Sequence, residues 1–356
     1  MSFLRRHRRT LLTLLLILVV VFGLLYFIDP QEIWREFQNT DGGWLAVAAL
    51  FLIVGVVLVS VRWSYLLHWE PKFSEVIKSD GMGHATTCLS PIPSAPLRVV
   101  TISRVTKVTI PQATTGMVVE RLLEQVMRIA CLLLALAVYA RLLVSPLALA
   151  GNLAVVTVIF VLMFWVISRP VQFEKILVGW AVRIPGLETG KTQTFISRLV
   201  QGFVLAGSPA RFLAAFGMSI VMWACFFMFQ ALVLVAMNLG LEVREITALS
   251  LAALALAPPS APAMPGIYHG VIVAGLSLLS ILNVSSMTAY AILAHAMYLV
   301  LWLPLGMWGF LTSDLRLRDL IKRRSGGPLT AGSNPAQDQT SQEQQADGVD
   351  EQRPTI

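Results

Sequence analysis

The chain has 356 residues, 56% of them hydrophobic and 13% charged, with a mean hydropathy of +0.73 and a formal net charge of +7. That composition leaves too little polar surface for a water-soluble globule and points to a bilayer as solvent; the long Leu/Ala/Val runs lack the alternation of barrel strands, so the spans are helices. The basic residues flank apolar runs without an aromatic-interleaved module, which excludes a nucleic-acid surface, and Cys88, Cys131 and Cys225 stand singly, which argues against a disulfide framework or a zinc or haem site.

In chain order, residues 1–9 form a basic N-terminus, and Thr10 to Ile28 is an apolar run of spanning length whose preceding arginines place the N-terminus in the cytoplasm. The run is longer than a signal-peptide core and lacks a small-residue cleavage site before Asp29-Pro30, so it reads as a retained first helix. Pro30 to Asn39 reads as an amphipathic surface helix with Ile33, Trp34 and Phe37 toward lipid. Trp44 to Val61 is the second span, returning to a cytoplasmic stretch that carries Arg62, Lys72 and Lys78. Gln112 to Tyr139 is the third, Leu147 to Ile167 the fourth, Phe212 to Asn238 the fifth and Met287 to Leu311 the sixth. Residues 169–211 read as a cytoplasmic amphipathic segment within a transmembrane domain covering 10–313. A basic juxtamembrane segment (314–324) holds the C-terminus inside, and 325–356 has the composition of a disordered cytoplasmic tail.

Two segments fall outside this count. Ser79 to Lys107 is polar and broken by Pro91, Pro93 and Pro96, and parity makes it begin and end inside, as a re-entrant hairpin does. Ile246 to Ile281 holds two half-length apolar stretches around Pro258, Pro259, Pro262, Pro265 and Gly266; it begins and ends outside, as a re-entrant hairpin or as two short crossing helices. The expected fold is therefore an all-α integral membrane protein of about six transmembrane helices plus two proline-broken hairpins in an inverted repeat. Such pairs of interrupted segments mark the midplane site of transporters.

Ionisable residues at membrane depth usually face a bundle interior or a wet cavity. Glu120, Glu124 and Arg128 follow one another at i, i+4 spacing on the third span, with Arg121 alongside. Glu124 and Arg128 are expected to neutralise one another, and Arg98 in the facing hairpin is the candidate partner of Glu120. Arg98 is also the candidate for a phosphate, since its planar fork suits bidentate recognition. The alternative is that Glu120 and Arg121 snorkel at the interface and Arg98 is a positive-inside anchor. His269, with Tyr268, follows the second break and is a candidate proton-coupling group or a hydrogen-bonded packing residue. His295 is read as a core residue, and Trp44, Trp63, Trp69 and Trp302 as interfacial anchors. Asp80 and His84 are two potential ligands without a third, so no metal is expected and no other cofactor is implied.

Three features in fixed order carry a resemblance: a Pro-rich break leading to an arginine (Ser90 to Arg98), Val118 to Leu122 (VVERL), and a late Ala-rich stretch ending in Pro265-Gly266 before another half-helix. Over roughly Trp44 to Leu311 the chain resembles the flippase-like transmembrane region of lysylphosphatidylglycerol synthases and of stand-alone bacterial and archaeal membrane proteins. It departs from that pattern at Ser94-Ala95-Pro96-Leu97, where the family commonly carries Gly-Glu before the arginine. The resemblance implies a multi-pass cell-membrane protein that moves a phospholipid, glycolipid or isoprenoid-linked lipid between leaflets, with a membrane lipid as its substrate. Only a short tail stands where the full synthases carry their aminoacyl-transfer domain, so that enzymatic activity is not expected. The rival readings are a membrane-embedded transferase acting on a lipid headgroup or polyprenyl phosphate, and a non-catalytic partner of a cytoplasmic lipid-biosynthesis enzyme.

Overall fold

The computed structural model describes residues 30–89, 94–140, 169–181, 209–257 and 266–313, together with scattered helical positions between 150 and 168. The expected first span, the breaks at Pro91, Pro93, Pro258, Pro259, Pro262 and Pro265, the basic juxtamembrane segment and the tail lie outside the described residues.

Ten helices are described end to end: α1 (Pro30–Gln38), α2 (Gly42–Leu66), α3 (Phe73–Leu89), α4 (Ser94–Val105), α5 (Ile110–Tyr139), α6 (Pro170–Ala181), α7 (Pro209–Ala236), α8 (Val243–Leu256), α9 (Ile267–Ser277) and α10 (Val284–Thr312). Four of them, α2, α5, α7 and α10, are long and apolar enough to cross a membrane. Local signals set their starts. The Asp41 carboxylate accepts from the Gly43 and Trp44 amides to open α2, Thr109 caps α5 ahead of Pro111, and Asn283 accepts from Ser286 to open α10. Large apolar side chains such as Leu50, Ile53 and Val57 on α2, Ile220 and Val221 on α7, and Val300 and Met307 on α10 are left on the outer surface, as a lipid-facing helix requires.

The two proline-broken segments form helical hairpins. Arms α3 and α4 pack on each other, as do α8 and α9. At ~1.5 Å per residue these arms are only about 16 to 26 Å long, short of the ~30 Å hydrocarbon core. The short arms α8 and α9, which pack on each other, accord with the hairpin alternative for 246–281. The first hairpin starts at Phe73, six residues before the expected Ser79, because helix α3 continues through the polar stretch Ser74 to Lys78.

The halves α2–α5 and α7–α10 run in opposite directions. The N-terminal end of α2 meets the C-terminal end of α7, where the Asp41 amide donates to the Ala236 carbonyl at 2.8 Å. Near the other end of α2, Arg62 Nη1 donates to Ser219 Oγ, early in α7, at 2.9 Å. Exchanging the halves also maps the packing onto itself: α2 lies on α7, α3 of the first hairpin lies on α10 of the second half, and α8 of the second hairpin lies on α5 of the first. Each hairpin is thus clasped by the last span of the opposite half.

Small residues permit the clasp. A methyl group on Gly81 would come within 2.7 Å of the Leu305 carbonyl carbon, one on Gly306 would collide with Ala85 and Gly81, and one on Gly309 would reach Met82 and the Lys78 carbonyl. Without a hydrophobic drive between helices in lipid, such close backbone approach is what brings them together. Two apolar cores result. The larger joins α2, α7, α8, α9 and α10 around Phe226, Phe229, Tyr290 and Trp302, and the smaller surrounds the first hairpin with Trp63, Leu67, Ile102, Leu123 and Phe212.

Two expectations on side chains are corrected. Phe37 of α1 does not face lipid but packs on the larger core, and Ser286 Oγ donates to Glu36 at 2.8 Å, which draws this short helix onto α10. Trp63 and Trp302 are fully buried inside the bundle, whereas Trp44 and Trp69 are exposed.

Gly306→Leu is expected to lower stability by at least about 1–3 kcal/mol through overpacking against α3, read as a drop in melting temperature of the detergent-solubilised protein. Gly217→Leu, where nothing lies within 4 Å, is expected to melt within about 0.5 kcal/mol of the parent. Equal melting of the two variants would refute the glycine clasp.

A buried ion network at the first hairpin

The site is built where α2, α3, α4 and α5 meet. Serines, a carboxylate and glycines on α3 (Ser79-Asp80-Gly81 and Gly83-His84) place polar groups on a face that the clasp with α10 buries. Gly83 lets α4 come close, since a methyl there would run into the Arg98 side chain. Ser79 Oγ donates to the Arg98 carbonyl at 3.1 Å, which fixes the two arms to each other.

Arg98 is fully buried and each of its three guanidinium nitrogens has a carboxylate partner. Nε donates to Asp80 Oδ1 at 2.7 Å, Nη1 to Glu120 Oε1 at 2.7 Å and Nη2 to Glu120 Oε2 at 3.3 Å. The indole of Trp63 covers the face of the group, with the guanidinium carbon 4.2 Å from the ring centre. Asp80 is completed by Ser60 Oγ, which donates to Oδ2 at 2.6 Å. Arg62 Nη2 stands 3.6 Å from both Glu120 Oε1 and Glu124 Oε1, and Arg121 Nη1 donates to Glu124 Oε2 at 2.7 Å.

Three arginines, Arg62, Arg98 and Arg121, therefore face three carboxylates, Asp80, Glu120 and Glu124. Isolated charges in a dry interior are very costly, and pairing with added hydrogen bonds is what makes them tolerable. The balance explains how so many ionisable groups fit at this depth.

The structure brings Arg98, Glu120, Arg121 and Glu124 into one network and leaves Arg128 out. The expected Glu124–Arg128 pair is not formed. Glu124 turns to Arg121 and Arg62, while Arg128 Nε donates to the Ala255 carbonyl at 2.9 Å. That carbonyl is in the last turn of α8, where the helix has no amide of its own to offer, so Arg128 caps the broken end of the second hairpin. Pro96 sits in the first turn of α4, where its missing N–H costs no helical bond.

At the second break Gly266 has φ 90°, a backbone conformation that favours glycine, and its N–H donates to His269 Nδ1 at 3.4 Å. His269 Nε2 lies 3.3 Å from His295 Nδ1, and Tyr268 stacks on the His295 ring at 4.5 Å. His295, read from sequence as ordinary packing, is thus the partner of His269. Nearby, Tyr290 OH donates to Gln230 at 2.7 Å and ties α10 to α7. Asp80 and His84 do not converge on a common point: the carboxylate binds Arg98 and Ser60, while the His84 ring lies on Trp302 with centres 4.1 Å apart. Among the described residues no three histidines, cysteines or carboxylates come together to hold a metal.

The profile of the family described as lysylphosphatidylglycerol synthase TM region matches residues 10–306. The chain belongs to this family. No curated protein and no solved structure matches it. Membership in the lysylphosphatidylglycerol synthase TM region family makes the chain a multi-pass membrane protein related to lipid modification or transport.

Sequence reasoning missed Ser60 and Ser219, took Arg62 for a cytoplasmic flanking charge and weighed Asp80 only as a potential metal ligand. Arg62 follows directly on an apolar run and so reads as a flanking charge, but α2 continues to Leu66 and carries it a full turn inside. The signal that could have found it is the serine on either side of it, Ser60 and Ser64, in an otherwise apolar helix.

Glu120→Gln is expected to destabilise the folded protein by about 3–5 kcal/mol, because it strands Arg98 and Arg62 in the interior. Arg121→Gln, at the partly exposed rim (28% side-chain exposure), is expected to cost about 1 kcal/mol or less. Chemical denaturation of both variants in the same detergent tests the order, and an equal loss would show that the network is not buried as described.

Proposed function

We propose that this protein is a lipid translocator of the cell membrane, with both termini cytoplasmic, and that it moves a lipid with an anionic headgroup between leaflets. The observation that carries the reading is the charge-balanced network pinning a half-length hairpin against a bundle whose two halves run in opposite directions. Interrupted helices at the interface of inverted repeats are where secondary transporters hold substrate near the midplane. An arriving anion competes with Glu120 and Glu124 for Arg62, which reaches them only by 3.6 Å ion pairs. Loosening those contacts frees the hairpin from α2 and α5 and lets one half rock against the other. Charge flanking the expected spans, basic at Arg5 to Arg9 and again at Arg316 to Arg324, supports the cytoplasmic placement of both ends.

The same geometry favours transport over headgroup transfer. An acid–base catalyst needs a group within reach of the substrate proton, whereas Asp80 and Glu120 are fully buried and bonded to Arg98. In the translocator reading the His269–His295 pair at the second break serves as the coupling element of the opposite half.

In proteoliposomes carrying a fluorescently labelled phospholipid, the parent protein is expected to expose inner-leaflet label to an external quencher without changing the lipid's mass. Arg98→Ala and Glu120→Ala are expected to reduce that transfer by at least about tenfold, equivalent to ~1.4 kcal/mol. Should either variant fail to elute as a monodisperse species, Ser60→Ala, which removes only one hydroxyl bond to Asp80, is expected to give a smaller but measurable loss. Parent-like transfer by the folded variants would remove the network from the mechanism, and a change in lipid mass would favour the transferase.

A further inference from the structure

We infer that Arg62, and not Arg98, is the residue of the ion network that grips the phosphate group of a phospholipid headgroup. This inference rests on the translocator reading and names the ligand chemistry of its site. Arg98 has no nitrogen left without a partner. Arg62 is as deeply buried, yet only Nη1 makes a hydrogen bond, to Ser219 Oγ. Nε and Nη2 have none. The 3.6 Å separations from Nη2 to Glu120 and Glu124 are ion pairs too long to be hydrogen bonds.

The surroundings of Arg98 have the same imbalance. Trp63 Nε1, Thr101 Oγ1, Trp302 Nε1 and both ring nitrogens of His84 are buried without a hydrogen-bond partner. Trp63 lies on the Arg98 guanidinium, Thr101 is one helical turn beyond Arg98, and His84 stands within electrostatic reach of Arg98, Arg121 and Glu120 with Trp302 against its other side. The two indole N–H groups, the one N–H of the neutral His84 ring and the open Arg62 nitrogens are donors, and the network offers them a single carboxylate oxygen without a hydrogen bond, Glu124 Oε1. Buried donors without acceptors are costly and uncommon in native folds. The group that completes them is anionic and rich in acceptor oxygens, which describes a phosphate.

The planar fork of an arginine suits such a group, and Arg62 can take it while Arg98 keeps Asp80 and Glu120 and Arg121 keeps Glu124. Because Arg62 also holds Ser219 on the opposite half, a phosphate that turns the guanidinium toward itself acts directly on the contact between the halves.

The test uses the full chain in detergent and follows melting temperature as dioctanoyl phosphatidylglycerol is added, with dioctanoylglycerol and glycerol 3-phosphate as separate arms. The phospholipid is expected to raise the melting temperature saturably, and neither the phosphate-free lipid nor the lipid-free phosphate to do so. Arg62→Lys keeps the charge but loses Nε and the fork, and is expected to weaken phospholipid binding about tenfold. Arg104→Gln, on the exposed side of α4, is expected to bind like the parent. If Arg62→Lys does not fold, Thr101→Val decides. It removes a hydroxyl that has no partner in the ligand-free protein, so it is expected to fold at least as well as the parent and to bind several-fold more weakly.

Unchanged phospholipid affinity in folded Arg62→Lys, or in Thr101→Val, overturns the inference. An equal response to dioctanoylglycerol overturns the phosphate, and an equal response to glycerol 3-phosphate overturns the lipid. Labelled-lipid transfer by the parent separates the two claims. Transfer that is indifferent to Arg62→Lys keeps the translocator and loses the site, whereas Arg62-dependent binding without transfer does the reverse.

Discussion

A helix broken inside hydrocarbon leaves amides and carbonyls open with no water to close them, so whatever sits beside the break must supply the missing bonds. Both hairpins of this protein live under that constraint, and their surroundings follow from it. At the second break the Gly266 amide is met by His269, and the Ala255 carbonyl at the end of α8 is met by Arg128, reaching across from α5. At the first, Ser79 on α3 binds the backbone of α4, and the arginine that α4 carries is held by carboxylates from α3 and α5. Each arm is secured mainly by chemistry on its neighbours.

The two halves share their packing plan but not their chemistry. The clasp of α3 by α10 has its counterpart in the clasp of α8 by α5, yet the first hairpin is held by three arginines and three carboxylates and the second by Arg128 on a backbone carbonyl together with histidines and tyrosines. An architecture with equivalent halves can rock about its midline, and unequal chemistry gives the two ends different ligands to respond to. In the translocator reading the charged end answers to anions through Arg62, whose long ion pairs leave two of its nitrogens without a hydrogen bond. In the same reading the second end answers to protons or to neutral hydrogen-bonding groups through the His269–His295 contact.

Much of this plan can be read from the residues alone, and the rest fails for identifiable reasons. The expected Trp44–Val61, Gln112–Tyr139, Phe212–Asn238 and Met287–Leu311 spans match α2, α5, α7 and α10 to within five residues at each end, because apolar length is a composition signal that burial cannot disguise. The Arg98–Glu120 contact is legible because two ionisable groups at membrane depth have few places to go. Arg62 is not, because a cation at the edge of an apolar run looks the same whether it snorkels to water or turns inward. Trp63 and Trp302 mislead similarly, since an indole near a span end is interfacial by statistics and is moved inside only by the tertiary contacts with Arg98 and His84. The partner of Arg128 is a backbone carbonyl far away in sequence, and no pattern of side-chain types announces a carbonyl left open by a break in another helix.

Arg62 joins these threads, because it is tied to both halves: to Ser219 on α7 by a hydrogen bond, and to Glu120 and Glu124 on α5 by long ion pairs. The α2–α7 contact it spans is otherwise apolar near this point, with Val59 and Phe226 fully buried and Gly55 leaving room for the Phe226 ring. Apolar packing in lipid resists sliding weakly, since one close-packed apolar surface is exchanged for another at little change in solvation. A buried hydrogen bond to a charged group does resist it, because breaking that bond leaves another guanidinium N–H without an acceptor in the interior. In the translocator proposed above, movement between the halves has to wait for something that takes over the Arg62 donors as they leave Ser219, and the charge of that group decides which lipids release the lock.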